Sequence, residues 1–161
     1  MYGEDNTREV PRRARRKRHI WSWIDNLEIQ SADVDHLVIA PAGIYAIDSK
    51  WHTTDLTSAV LHTGAAAARA AARRASLILR SERLQVLDAQ PLVVVWGRGQ
   101  GDLPEGGCVI DGVLFVKGSG LRNWLAQCSS GAISNEHANE ASKKLRQFKA
   151  RVDPTRRVRT G

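Results

Sequence analysis

Apolar positions run with a strand-like period through the first third of the chain and then lengthen to a helical one. Residues 20–29 are rich in β-branched and aromatic side chains, among them Ile20, Trp21, Trp23 and Ile24, and predict a strand. Val34–Ile39 and Ile44–Ser49 predict two more. Between them, Ala40-Pro41-Ala42-Gly43 puts proline second and glycine fourth, which suits a type I turn, so the two runs read as a β-hairpin. After Trp51, at 100° per residue, Val60, Leu61, Ala68, Ala75 and Leu79 share one face. That predicts a helix over Ser58–Arg83 with Thr57 or Ser58 as N-cap. Its alanine-rich stripe suits close packing on a sheet. Arg69, Arg73, Arg80 and Arg83 fall on a separate face with His62, either plain solvated surface or a contact for phosphate.

The second half is punctuated by glycine. Pro91 precedes Leu92–Trp96, a continuous apolar run of the kind buried strands carry. The loop Gly97–Gly107 contains no Gly-Lys-Ser/Thr and is not a Walker-type phosphate loop. Cys108–Ile110 and Val113–Val116 flank Asp111-Gly112, a strong hairpin turn. Helices are expected over Leu121–Gln127 and Asn135–Val152. At the front, Gly3–Val10 is a short helical stretch that Pro11 should stop. The chain therefore divides into a helix remnant with a basic segment (1–19), one domain (20–152) and a basic tail (153–161).

Composition narrows the partners. With 161 residues, 42% hydrophobic and 25% charged, the chain fits one ordered domain. No run approaches the ~20 apolar residues of a membrane helix, and the N-terminus has no apolar export region. Cys108 and Cys128 cannot build a disulfide framework or a Cys-rich zinc site, so a cytoplasmic location is expected. The net charge is +7, unevenly spread. Arg12, Arg13, Arg15, Arg16, Lys17 and Arg18 supply +6 within seven residues. Arg151, Arg156, Arg157 and Arg159, less Asp153, supply +3, which leaves −2 for the body. The two clusters are either solvated tails or arms for a polyanion, most often nucleic acid.

The first hairpin holds the candidate chemistry. Positions paired about its turn sum to 83, which sets Asp35 against Asp48 with Cβ atoms roughly 5 Å apart. Strand alternation puts Asp48 and Lys50 on one face. Like charges in opposition need compensation. A divalent cation would supply it, and carboxylate oxygens suit Mg²⁺ or Mn²⁺. Lys50 would then orient a water or face a phosphoryl group. A surface salt-bridge cluster is the other reading. His36 faces away from Asp35 and suits a structural hydrogen bond. The remaining histidines lack metal-ligand spacing, and the five tryptophans suit core packing or base stacking.

The stretch Asp33–Trp51 resembles the core of the NERD (nuclease-related) domain: an Asp-His-apolar segment, a Pro-x-Gly turn, then apolar-Asp-x-Lys. That family is placed with the PD-(D/E)xK nuclease-like superfamily. The resemblance implies an α/β, restriction-endonuclease-like core, a mixed central sheet with a β-hairpin meander flanked by helices. It implies Asp35 and Asp48 as metal ligands with the Ser49 backbone carbonyl, and Lys50 as the catalytic lysine. Gly3-Glu4 matches the family's Gly-Glu, making Glu4 the helix-borne acid. The family's crossover helix often bears a glutamine, and Gly64–Ala72 here has none. The implied activity is Mg²⁺- or Mn²⁺-dependent hydrolysis of DNA or RNA. The alternative is a weak or inactive nucleic-acid-binding module. Arg12–Arg18, Arg69 and Arg73 are the candidate nucleic-acid contacts.

Overall fold

The three N-terminal apolar runs fold into an antiparallel meander: β1 (Ser22–Ile29), β2 (Ala32–Ala40) and β3 (Gly43–His52). The structure is a computed structural model and describes residues 10–29, 32–81 and 88–152. Helix α2 (Ser58–Ser81) crosses to β4 (Gln90–Gly97), which pairs parallel with β3. A hairpin of β5 (Cys108–Ile110) and β6 (Val113–Lys117) follows, with β6 parallel to β4. The result is a six-stranded mixed, open sheet in the order β1-β2-β3-β4-β6-β5. Helices α3 (Leu121–Gln127) and α4 (Asn135–Val152) complete an α/β architecture, together with α1, whose described part is residues 10–16.

Alternation along the strands sorts the core into layers. Leu37, Ile39, Ile44 and Ala46 face α2 and α4, where Ala75, Leu79, Ala141 and Leu145 are buried. Farther across that face, Ala65 and Ala68 of α2 lie on Val93, Val95 and Phe115. Alanine at these positions lets the helix approach the sheet closely, as its stripe predicts. The opposite face, with Val38, Ile47 and Val94, takes Ala14 of α1 and Leu121 and Leu125 of α3. Thr57 caps α2, its Oγ1 accepting from the Val60 N–H at 3.2 Å, and Ser134 caps α4 through the His137 N–H.

Both hairpins follow their turn chemistry. Ala40 pairs with Gly43 and His36 with Ile47, the register expected from the Pro41-Ala42 turn. Asp111 (φ 51°) and Gly112 (φ 78°) both take positive φ, the requirement of a type I′ turn. The first hairpin is tied to the far helices by backbone bonds: Ala42 N–H to the Cys128 carbonyl and Ile133 N–H to the Pro41 carbonyl. Gly131 sits against that turn so closely that a Cβ would lie 2.2 Å from the Pro41 oxygen.

One expectation fails. Pro11 does not stop a helix; residues 10–16 are helical, and the arginine run is part of α1 rather than a tail. Pro11 and Ala14 turn inward while the cations at 12, 13, 15 and 16 point out. The packing of that apolar edge outweighs the proline penalty. The helix ends in a Schellman motif: His19 N–H reaches the Ala14 carbonyl, Arg18 N–H reaches that of Arg15, and Arg18 takes φ 58°. Glu4 and the tail 153–161 lie outside the described residues.

Candidate functional site

Asp35, Asp48 and Lys50 come together where the sheet loses its regular pairing. Asn26 adopts φ 52°, and the β1–β2 ladder skips the Asn26–Asp35 pair while keeping register on both sides. The β2–β3 ladder likewise ends at His36–Ile47, one step short of Asp35 and Asp48. The Asp35 carboxylate is thereby free to turn to side-chain and backbone partners. Its Oδ2 accepts the Ser49 N–H at 3.0 Å, and the Asp48 carboxyl acts on it from beside it. Lys50 Nζ stands 3.4 Å from Asp48 Oδ1, with its side chain 46% exposed.

The electrostatics of this cluster are unfavourable in isolation. Partial burial, then the hydrogen bond and charge of Asp48, push the Asp35 pKa up to about 6; the Ser49 N–H and His36 pull it the other way without prevailing. Two neighbouring carboxyls cannot both ionise cheaply, and the cost falls on Asp35. An all-oxygen pair with this conflict fits a hard divalent cation, which would relieve it. Asp35, Asp48 and Ser49 are the residues that would hold it. Among the described residues no third His, Cys, Asp or Glu joins them.

His36 behaves as its strand position predicts. It is buried on the opposite face, with Nδ1 2.7 Å from Asp25 Oδ1, the oxygen that also accepts from Trp23 Nε1 at 2.8 Å. That bond places the proton on Nδ1 and leaves Nε2 buried with no hydrogen-bond partner among the described residues. The imidazole therefore braces β1 against β2, and the Lys149 ammonium closes the cluster on the Asp25 carbonyl at 2.5 Å.

Two concavities of the fold have walls that sequence reasoning does not bring together. An apolar cleft of about 370 Å³ opens beside Lys50 and His52, between the first turns of α2 (Val60, Leu61) and β4 and β6 (Val95, Phe115). A basic trough lies at the β1 edge, where α1 faces α4. Both arise from elements far apart in the chain. The α2 arginines, by contrast, are not gathered at the hairpin site. Arg69 donates to the Asp111 carbonyl at 2.9 Å and holds the β5–β6 turn. Arg73 lines a cavity with Arg80, which pairs with Asp88.

Among known proteins, no family model, no curated protein and no solved structure matches this chain significantly.

Proposed function

We propose that the chain is a divalent-metal-dependent nuclease of the NERD type, hydrolysing phosphodiester bonds of DNA or RNA on a restriction-endonuclease-like core. The observation that carries this reading is the Asp35–Asp48 carboxyl pair with Lys50 beside it, at the frayed end of a hairpin. Two features support it. A structural ion pair would hold its lysine tightly and its acids apart, whereas here Asp48 raises the Asp35 pKa and the lysine is half-exposed. The resemblance implies a helix, a meander and a long helix crossing to a further strand, and the chain has elements in that order.

Mg²⁺ or Mn²⁺ held by Asp35 and Asp48 would lower the pKa of a bound water and neutralise charge developing on the phosphoryl oxygens. The chain's own residues do the rest. The Ser49 N–H fixes Asp35, Asp48 aligns Lys50, and the Lys50 ammonium faces the scissile phosphate and orients the attacking water. In the reaction, the water oxygen bonds to phosphorus and gives up a proton to solvent, while the bond to the leaving sugar oxygen breaks and that oxygen takes a proton from solvent, leaving as an alcohol. The test is cleavage of labelled DNA and RNA in Mg²⁺ or Mn²⁺. Asp48→Ala and Lys50→Ala should each lose activity at least a hundredfold with unchanged circular dichroism. Full activity in either variant overturns the proposal.

A second reading, a nucleic-acid-binding module that keeps the fold without cleaving, is favoured by the α1 arginines, whose hold on a polyanion needs no metal. Calorimetry separates the two readings: no heat of Mg²⁺ or Mn²⁺ binding supports the second.

A further inference from the structure

We propose that the trough between α1 and α4 binds single-stranded nucleic acid, with the strand's phosphates on its cations and an unpaired base against Trp21. Two concavities of about 760 and 590 Å³ share Arg15, Trp21 and Asn139 and form one continuous trough. Helix α1 contributes Arg12, Arg15, Arg16 and Arg18 to it, and α4 contributes Lys143 and Arg146. Among the described residues no carboxylate lines either part. None of the six cations meets a carboxylate among the described residues. Six unneutralised cations in one concavity repel one another, and the fold holds them there by burying Pro11 and Ala14. A polyanion relieves that repulsion.

The floor selects the form of the polyanion. Trp21 is half-buried, its Nε1 donating to the Ile133 carbonyl at 2.9 Å, so the indole is fixed in orientation. Asn135 and Asn139 place amides on the same wall. Bases of a duplex are stacked and paired inside and do not reach such a floor; an unpaired base does. A lipid surface is flat and would meet only the rim. The trough also leads toward the carboxylate pair. Ser22 in its wall pairs with Ile39, and Asp35 lies four residues earlier on β2, roughly 13 Å along the strand.

The test measures binding without cleavage, so it stands apart from the nuclease reading. In EDTA, fluorescence anisotropy of a labelled oligo(dT) against the full chain should give a salt slope of about −4 for six cations. Lys143→Ala/Arg146→Ala should reduce that slope to about −3, and Trp21→Leu should weaken binding about tenfold at constant slope. A thermal melt of each variant establishes that it is folded. The second variant pair, on exposed α4 positions, keeps the test decisive if Trp21→Leu does not fold. The proposal is overturned if both variants bind as the parent does, if a duplex of equal length binds as tightly, or if anionic vesicles compete at equal charge. Cleavage in Mn²⁺ is scored separately. Intact binding without cleavage would strike the nuclease reading alone, and cleavage with unaltered binding in the α4 variants would strike this one alone.

Discussion

Asp35 ties stability to pH in a direction opposite to that of most carboxylates. Its pKa is pushed up to about 6 from an ordinary 3.8, by burial first and Asp48 second. Between about pH 4 and 6 the native state therefore holds a proton that the unfolded chain has released. Stability is full below that window and falls as pH rises through it. Asp48→Asn removes the charge that opposes Asp35. In metal-free buffer at pH 8 it should raise stability by about 1 kcal/mol, a figure reduced from the full shift because Asp35 is partly solvated. The same variant should lose the rise in melting temperature that Mn²⁺ gives the parent chain. Urea melts at pH 4 and pH 8, with and without Mn²⁺, check both. A parent chain more stable at pH 8 than at pH 5 in EDTA would contradict the assignment. The conflict between fold and function at this pair is what a site waiting for a cation would show.

At the scale of elements, what was legible in the chain was what neighbours in sequence decide. The 83 register followed from one proline and one glycine; the Asp111-Gly112 hairpin followed from the only pair there that tolerates two positive φ values. Helices α3 and α4 begin and end where the period says. The helical residues 10–16 are not legible locally, because they depend on Ala14 packing under the sheet. The α1 arginines are legible in the sequence, but the α4 wall that faces them comes from far along the chain, so the trough itself is not. Gly131 is another such long-range element. Nothing in the sequence around it demands glycine, yet its missing Cβ is what lets the α3–α4 link seat on the Pro41 turn. Gly131→Ala should force that backbone apart and cost about 1–3 kcal/mol, measured by chemical denaturation. Gly101→Ala, with open space around it, is the matched control and should change stability little.

Across the whole molecule, charge gathers unevenly: the trough draws cations from both the Arg12–Arg18 run and helix α4. At the hairpin, among the described residues, Lys50 is the one cation beside two acids, in a body whose net charge is −2. The trough offers six positive charges at all times. If capture belongs to the trough and chemistry to the hairpin, ionic strength should separate them. Screening weakens contacts to exposed arginines far more than it weakens a cation seated between two carboxylates. With a slope of about −4, raising salt from 50 to 200 mM should raise KM for a single-stranded substrate about two hundredfold. Over the same range kcat should change less than twofold, because Asp35, Asp48 and Lys50 are no part of the salt-sensitive surface. Lys143→Ala/Arg146→Ala should reproduce the effect of salt, raising KM and sparing kcat, whereas Lys50→Ala should do the reverse. Initial rates over a range of substrate concentrations at two ionic strengths decide it. If kcat fell with salt as steeply as 1/KM, the arginines and the carboxylates would be one site rather than two.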